Sequence, residues 1–380
     1  MTTTAPNNTT ARRYDIDWLR VLATFIVLFF HSARYFDHMG WHVKNPERST
    51  ELMVLVGFLA QWMMPLFFVL SAMSSVFVLR RRSAARYLSD RVLRLLVPFV
   101  LGTFVVLIPL QVWIERVTNG DFDGGFWAFY PHYFDGWYAF GGNFAWMGLH
   151  LWYLQFLFLF SLITVPLFRA ILNASSFTKK LASICQKPGG ILLLSLPVIA
   201  VELWVNLDPG GIGMRDFGGW SLATYLVFFI IGFVLATHDG YRIACERHRI
   251  PALVVGILLM VPELHWAWAE GAFFSDYALR HITHALNAWL WLVAILGFAS
   301  RYLTKPNAFL SYANEGVLPF YVLHQTVIVF LGFLMLDWAA AIFIKFSVLI
   351  LLSFFVISAS YHFFIRPLGP VRWLFGMKKP

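Results

Sequence analysis

Apolar runs long enough to cross a lipid bilayer recur along the whole of this 380-residue chain. A helix that crosses a bilayer needs about 20 mostly apolar residues, and runs of that length leave no room between them for a water-soluble domain. Charged residues make up only 13% of the chain, about half of the share in soluble proteins. The sequence therefore predicts an all-α integral membrane protein with about ten transmembrane helices. The predicted spans are residues 18–37, 52–79, 95–114, 146–170, 190–207, 220–238, 251–268, 281–300, 316–336 and 340–363.

The basic residues indicate how these spans are oriented. Loops on the cytoplasmic side of a membrane are richer in Lys and Arg than outer loops, and the pattern fits if both termini are cytoplasmic. The outer segments then keep only Arg34, Lys44, Arg48, Arg116, Arg215, Arg280 and Lys345. We expect a cytoplasmic segment at 1–17, one membrane domain at 18–363 and a basic cytoplasmic tail at 364–380. Topology alone accounts for the net charge of +9, so a nucleic-acid partner is not needed to explain it.

Arg20 and His31 lie on the first apolar run, eleven residues apart. Eleven helical positions rise about 16 Å and return to within about 20° of the same face. One stripe therefore carries a guanidinium near one membrane surface and an imidazole well inside, followed on the same face by Arg34, Tyr35 and His38. An ionisable group inside a membrane is a candidate functional residue. His31 is either a general base or a histidine that bonds a neighbouring helix.

Arg91 and Arg94 stand three residues apart at the start of the third predicted span. On an α-helix this spacing places both side chains on one face. Two guanidinium groups that face one way suit the oxygens of a phosphate. The alternative is that both only mark the cytoplasmic side of the membrane.

Two further histidines lie in apolar runs. His150 opens the fourth span close to Trp152, as an interfacial residue or as one that binds substrate. His324 lies inside the ninth span, nine residues after Glu315. That separation places Glu315 and His324 on opposite faces of an unbroken helix, so Glu315 is interpreted as a charge at the helix N-terminus.

The outer segment 115–145 is rich in aromatic residues. It is interpreted either as a belt at the membrane surface or as a cap whose rings stack on a sugar. Two histidine pairs, His38 with His42 and His281 with His284, have the spacing of helical metal ligands. No carboxylate or thiol clusters with either pair in the sequence, so we expect no metal.

Five short motifs occur in order along the chain: DWLR at 17–20 with His31, WHV at 41–43, RVLRLLVP at 91–98, HLWYL at 150–154 and YVLH at 321–324. Together they resemble the acyltransferase-3 family of membrane acyltransferases, and within it the branch of glucan biosynthesis protein C, a periplasmic glucan succinyltransferase. The resemblance implies a multi-pass enzyme of the bacterial inner membrane. It also implies transfer of an acetyl or succinyl group from cytoplasmic acyl-CoA to an outer acceptor, usually a carbohydrate.

The resemblance also implies roles for individual residues. Arg20, His31 and His324 would be catalytic, with His31 as the base. Arg91 and Arg94, together with Arg20, would hold the phosphates of CoA. The expected substrate-binding residues are Arg34, Tyr35, His150 and Trp152, with Arg34 placed for a succinyl carboxylate. His31 would either deprotonate the acceptor hydroxyl or be acylated itself.

Two other functions share part of the pattern. A transporter or flippase for a glycan or lipid intermediate would also have a polar stripe and an aromatic outer segment, but it would not need two phosphate-binding arginines. A membrane sensor with a small-ligand pocket is the other alternative. Binding of CoA separates the enzyme from both.

Overall fold

The computed structural model describes residues 12–205, 218–269, 271 and 273–378, and helices joined by short connections make up this part of the chain. The only strand-like pairing among these residues is one isolated bridge between Trp137 and Phe144. The predicted all-α fold class is confirmed. The α-helices are α1 Tyr14–Arg34, α2 Thr50–Ala60, α3 Met63–Leu79, α4 Ala84–Arg91, α5 Val97–Phe104, α6 Leu107–Asn119, α7 Phe126–Phe129, α8 Trp152–Asn173, α9 Ser175–Cys185, α10 Leu196–Val205, α11 Leu222–Leu235, α12 Asp239–Leu264, α13 Tyr277–Tyr302, α14 Ala308–Leu334, α15 Ile342–Ala359 and α16 Gly369–Leu374.

Each predicted span overlaps helix in the part of the chain that the structure describes; residues 206 and 207 of the fifth span lie outside that part. Eight segments are long and apolar enough to cross a membrane: Tyr14–Arg34, Thr50–Leu79, Ala84–Asn119, Leu149–Asn173, Asp239–Ala267, Tyr277–Tyr302, Ala308–Leu334 and Ile342–Ile365. The fifth and sixth predicted spans correspond to two shorter apolar helical segments, Gly190–Val205 and Leu222–Leu235. The chain is therefore a multi-pass membrane protein by the length and composition of its helices.

The third span differs from its predicted limits of 95–114. It belongs to a 36-residue helical segment, Ala84–Asn119, about 54 Å long if it were straight and regular. The segment begins with the polar helix α4, continues through a π-helical turn at Val92–Leu96 and is interrupted between α5 and α6. Sequence periodicity missed α4 because its residues are polar rather than apolar.

The helices pack in a few close pairs, since α1 lies on α14, α3 on α11 and α12 on α13. In two of these pairs, a glycine allows the helices to pack closely. A Cβ on Gly232 of α11 would lie 2.5 Å from the carbonyl oxygen of Val69 in α3, and one on Gly297 of α13 would lie 2.3 Å from the carbonyl oxygen of Cys245 in α12. Small residues at such contacts let membrane helices approach through their backbones.

A short connection, residues 35–49, joins α1 to α2 around one buried carboxylate. Asp37 is fully buried; its oxygens lie 2.6 Å from a guanidinium nitrogen of Arg34 and 2.5 Å from Nζ of Lys44. Lys44 also donates to the backbone carbonyl of Arg34. The carboxylate therefore supplies the opposite charge for two largely buried cations.

The aromatic segment after α6 folds into a cap, defined here as residues 120–148. The hydroxyls of Tyr130 and Tyr133 donate to the carbonyls of Phe104 and Thr103 at the end of α5. Four large rings remain exposed on the cap, those of Trp127, Phe134, Trp137 and Phe140. The segment is thus anchored to the bundle by hydroxyl groups and presents apolar rings outward, as a membrane-surface belt does. We call this end of the bundle the cap end.

Asp37→Asn is expected to destabilise the fold by about 3–5 kcal/mol, because it leaves two cations in a buried site without their carboxylate. Burial lowers the pKa of Lys44 to about 8 with Asp37 in place, and loss of the carboxylate lowers this pKa further. Above the folded-state pKa and below about 10.4, the unfolded chain binds more protons than the folded one. The stability of the variant therefore rises with pH in that window.

Thermal unfolding of purified protein at about pH 6 and about pH 9 measures both effects. Asp135→Asn is the matched control, since that carboxylate is exposed on the cap; its effect is expected within about 0.5 kcal/mol. A wild-type melting temperature for Asp37→Asn at the lower pH would contradict the proposed role of Asp37.

Candidate active site

His31 of α1 and His324 of α14 meet inside the bundle. Nδ1 of His31 lies 3.1 Å from Nε2 of His324, although 293 residues separate them in sequence. The ring of His324 is fully buried, whereas that of His31 remains partly accessible. The structure thus gives His31 a specific partner that neither residue's own helix could supply.

The backbone determines which nitrogens carry protons when both rings are neutral. Nδ1 of His324 faces the carbonyl oxygen of Tyr321, which only accepts, so this Nδ1 is protonated and Nε2 of His324 is an acceptor. Nδ1 of His31 must then donate to His324, and it also lies 3.2 Å from the carbonyl oxygen of Val27. The lone pair of His31 is therefore on Nε2, for which the described residues provide no hydrogen-bond partner. An unprotonated, accessible Nε2 is the atom that a general base or nucleophile requires.

His150 lies beside this pair and is held from several sides. Its ring centroid is 5.1 Å from that of His324. Nε2 of His150 donates to the carbonyl of Val322 at 3.1 Å, and the hydroxyl of Tyr321 donates to the backbone carbonyl of His150. The buried amide of Gln111 lies 3.4 Å from Nδ1 of His150. Both ring nitrogens of His150 thus face groups of the protein.

Gln111 connects α6 to α14. Its amide nitrogen donates to the hydroxyl of Thr326 at 2.7 Å, and its oxygen accepts from Gln325 at 2.9 Å. Gln111 is fully buried. A satisfied polar network in an apolar interior fixes the relative position of its helices, because any rearrangement leaves buried groups unpaired.

A line of hydroxyl groups leads from the histidines toward the opposite end of the bundle. The ring of Tyr321 is 5.6 Å from that of Tyr153, whose hydroxyl lies 2.6 Å from the hydroxyl of Ser71. One helical turn further, Ser75 accepts a hydrogen bond of 2.7 Å from the guanidinium of Arg91. We call this series, Tyr321, Tyr153, Ser71 and Ser75, the polar path.

The polar path ends at three arginines, Arg20, Arg91 and Arg94, which we call the arginine cluster. They lie near enough to repel one another electrostatically. Arg20 has a carboxylate partner, Asp17, at 3.2 Å. In the described part of the chain, the guanidinium of Arg94 has no hydrogen-bond acceptor. Clustered cations with free donors favour an anionic ligand.

The π-helical turn at Val92–Leu96 changes the expected geometry of Arg91 and Arg94. The spacing predicted one regular α-helical face for both. Arg91 instead reaches Ser75 of α3 and lies 5.0 Å over the ring of Tyr87, whereas Arg94 is exposed. Single π-helical turns occur often at functional sites, and this one separates the surroundings of the two guanidinium groups while keeping them within electrostatic reach.

Three of the expected substrate-binding residues have partners inside the protein. Arg34 is paired with Asp37. Tyr35 is fully buried, and its hydroxyl donates to the carbonyl of Gly332 at 2.8 Å. The ring of Trp152 packs against that of Tyr225 at a centroid distance of 5.4 Å. None of these three contacts involves the His31 ring, although Arg34 lies one turn after His31 on α1 and interacts with it electrostatically.

Glu315 is separated from the histidines, as its spacing from His324 predicts. Its carboxylate lies 2.8 Å from Arg372 and 3.3 Å from Arg366, so it binds the C-terminal segment rather than the site. The expected position at a helix N-terminus is wrong, because α14 begins seven residues earlier at Ala308. The C-terminal segment turns at Gly376, where φ is 67°. A Cβ on Gly376 would lie 2.8 Å from the backbone carbonyl oxygen of Arg94. The tail is therefore packed on the membrane domain beside the arginine cluster.

Sequence reasoning missed the residues that link the two ends of the site, namely Tyr153, Tyr321, Ser71, Ser75 and Gln111. The serines follow an i, i+4 spacing on an otherwise apolar helix, and Tyr153 and Tyr321 stand beside motif histidines. Each of these sequence signals is weak, and only the packing of the helices shows that the residues belong to one site. No group of three or more metal-ligating side chains occurs among the described residues.

Comparison with known proteins assigns the chain to a family. A sequence model described as an acyltransferase domain matches residues 13–362. The chain belongs to this acyltransferase family. It is accordingly an acyl-transferring enzyme, and the expected family resemblance is confirmed.

Several curated relatives of this acyltransferase share the name glucans biosynthesis protein C. The chain is 23% identical over 331 residues to glucans biosynthesis protein C of Escherichia coli O139:H28 (strain E24377A / ETEC), a match that covers 84% of this chain and 83% of that protein. The same-named proteins of Escherichia coli (strain K12) and Shigella dysenteriae serotype 1 (strain Sd197) are 23% identical over 329 residues, with the same coverage. No solved structure matches the acyltransferase.

Gln111→Leu is expected to destabilise the acyltransferase by about 1–3 kcal/mol, because Gln325 and Nδ1 of His150 lose a buried partner. Gln155→Leu is the matched control, since the side-chain oxygen of Gln155 is buried without a partner among the described residues; its replacement should be neutral or stabilising. Thermal unfolding of both variants in one detergent compares them. Equal losses of stability would show that the Gln111 network does not hold the helices.

Proposed function

We propose that this acyltransferase moves an acyl group from cytoplasmic acyl-CoA to a hydroxyl of an outer-face carbohydrate. The observation that carries the proposal is the connection of the accessible Nε2 of His31 to the arginine cluster through the polar path. It provides an anion-binding entrance at one end of the bundle and a reactive imidazole inside. A glucan is the acceptor class that the names of the relatives suggest.

The proposed membrane arrangement has ten crossings, with both termini in the cytoplasm of a bacterium and the protein in its inner membrane. The excess of Arg and Lys on one set of loops supports this orientation. The arginine cluster then faces the cytoplasm, where acyl-CoA is made, and the cap faces outward. The two shorter helical segments, Gly190–Val205 and Leu222–Leu235, would complete the ten crossings.

The donor binds, in this proposal, with its phosphates on Arg91 and Arg94 and its pantetheine arm along the polar path. Arg20 stands eleven residues before His31 on α1, about 16 Å along the helix axis. A phosphate at the arginines would relieve the repulsion within the cluster. The hydroxyls of Ser71 and Tyr153 offer hydrogen bonds to the amides of the arm.

His31 is the proposed reactive residue, and His324 positions it. By holding the proton of His31 on Nδ1, His324 keeps Nε2 free to act. His31 then either removes the proton of the acceptor hydroxyl or attacks the thioester and carries the acyl group itself. His150 is a positioning residue in this proposal, because its two ring nitrogens face protein groups.

The pairing of Arg34 with Asp37 bears on the acyl group. A succinyl carboxylate would have to displace Asp37 to reach Arg34. An uncharged group such as acetyl needs no such exchange. The geometry therefore favours an uncharged acyl group over succinyl, and mass spectrometry of the modified carbohydrate identifies it.

His31→Ala is expected to abolish acyl transfer, because it removes the reactive nitrogen. The protein should stay folded, because the ring that is lost is only partly buried. The measurement is the acyl content of envelope carbohydrates, by mass spectrometry, in cells that express each variant at matched levels. His38→Ala is the control, since that ring is exposed at the cap end. Full acylation with His31→Ala would exclude the proposed chemistry.

Replacement of Arg91 and Arg94 by Ala is expected to remove the stabilisation of the purified protein by CoA. Ligand at 100 times its dissociation constant stabilises by about 2.7 kcal/mol, which a thermal-shift assay detects. Arg86→Ala removes the same charge from the exposed side of α4 and should keep the response. A wild-type protein that does not respond to CoA would count against acyl-CoA as the donor of this acyltransferase.

A further inference from the structure

The imidazole of His42 lies near His31 at the cap end of the bundle and, unlike His31, has a carboxylate partner. Nδ1 of His42 is hydrogen-bonded to a carboxylate oxygen of Glu115, near the end of α6. Both side chains are almost buried, with exposed fractions of 11% and 12%. A carboxylate in this position holds the proton of the imidazole on Nδ1 and stabilises the imidazolium that forms when Nε2 takes up a second proton.

The cap fixes this carboxylate from the other side. The hydroxyl of Tyr138 lies 2.7 Å from both oxygens of Glu115, and the guanidinium of Arg116 lies 3.9 Å from one of them. Burial, followed by the charge of Glu115, raises the pKa of Tyr138, so its hydroxyl stays protonated and donates. Glu115 is thus held in a single orientation toward His42.

The ring of Trp41 lies near both imidazoles. Its ring centroid is 6.2 Å from that of His31 and 5.7 Å from that of His42. His42 is also near enough to His31 and His150 to interact with both electrostatically. Nε2 of His42 has no hydrogen-bond partner in the described parts of the chain, so this nitrogen is available to a ligand.

Two other histidine–carboxylate pairs among the described residues differ from this one. His132 and Asp135, 3.0 Å apart, are both exposed on the cap. His284, 2.7 Å from Glu263, stacks on the ring of Trp220 at 4.1 Å. The pair His42–Glu115 is the one among these three whose histidine interacts with the reactive centre.

We propose that His42, held by Glu115 and Tyr138, takes the proton of the acceptor hydroxyl, while His31 carries the acyl group. This inference rests on the proposed function. It assigns the two chemical tasks to two imidazoles and thereby selects the route in which His31 is acylated. His42 touches the acceptor and is a catalytic residue; Glu115 and Tyr138 are positioning residues.

The first half of the reaction uses the donor side. Nε2 of His31 attacks the thioester carbon, the carbon–sulfur bond breaks, and its electron pair leaves with the sulfur of CoA. The acylated ring is cationic, and its Nδ1–H remains bonded to Nε2 of His324. The CoA thiolate leaves toward the arginine cluster and takes a proton from water.

The second half uses the cap side. The acceptor oxygen attacks the acyl carbon, its proton passes to Nε2 of His42, and the bond from carbon to His31 breaks. The electron pair returns to Nε2 of His31, which is neutral again. Glu115 balances the charge of the His42 imidazolium until the proton leaves to the outer water. The sum is one thioester and one alcohol giving one ester and one thiol.

The test separates the two halves in the purified full-length protein. Acetyl-CoA with a labelled acetyl group is added without acceptor, and protein-bound label and released CoA are measured after quenching. The label is located by mass spectrometry of peptides. The neutral carbohydrate fraction of the envelope is then added, and transfer of label is followed.

Wild-type protein is expected to bind label on His31 and to pass it to carbohydrate. His42→Ala should acquire label at a near-normal rate but transfer it about 10²–10⁴-fold more slowly, with partial rescue by added imidazole. Glu115→Gln should also acquire label at a near-normal rate and transfer it more slowly, but with a smaller loss than His42→Ala. Glu115→Asp, which keeps the carboxylate, should transfer label faster than Glu115→Gln. His132→Ala, from the exposed pair on the cap, should behave as wild type.

Several results would overturn the inference. Normal transfer by His42→Ala would show that this imidazole does not take the proton. Loss of both halves in His42→Ala and also in His42→Asn would show that it only holds the cap in place. Wild-type transfer without any label on His31 would exclude the acylated route but leave the proposed function intact. Absence of both CoA release and transfer in the wild type would instead count against the proposed function.

Discussion

The hydrogen bond between Nδ1 of His31 and Nε2 of His324 is the interaction on which the site depends. The carbonyl of Tyr321 determines the proton position in His324, and His324 determines it in His31. Without this sequence of bonds, an imidazole in an apolar bundle could present either nitrogen to a substrate. The bond also holds α1 against α14, so the geometry of the helix pair and the reactivity of His31 have the same cause.

The cost of burying polar groups explains why the site is so interconnected. Within a membrane, backbone and side-chain polar groups must find partners inside the protein. Gln111 and Tyr321 provide them around His150, and Asp37 provides one for Arg34 and Lys44. Some polar atoms still lack a partner, such as the buried side-chain oxygen of Gln155. Among the groups of the candidate site, Nε2 of His31, Nε2 of His42 and the guanidinium of Arg94 have no hydrogen-bond partner in the described protein, and each is assigned to a ligand here.

Periodicity and composition were sufficient for much of the fold. Among the described residues, apolar runs located the eight membrane-length helical segments and the two shorter apolar ones, but not the polar helix α4. The eleven-residue spacing placed Arg20 and His31 on one helix. The spacing of Glu315 and His324 correctly separated the two residues. The pairing of His31 with His324 could not be predicted, because it depends on which helices pack together across 293 residues. No residue pattern predicts the π-helical turn at Val92–Leu96. Glu115 could not be singled out among the acidic residues of the sequence, because only the fold brings His42 to it.

Nuclear magnetic resonance of the protein labelled with ¹⁵N in its histidine rings measures the protonation of each ring nitrogen directly. At neutral pH, His31 and His324 are expected to be neutral rings with the proton on Nδ1, and the Nε2 signal of His31 should be that of an unprotonated nitrogen. Assignment by comparison with His31→Ala and His324→Ala identifies the signals. A His31 ring protonated on Nε2 would contradict the proposed site, because the nitrogen left free would then face His324 rather than a substrate.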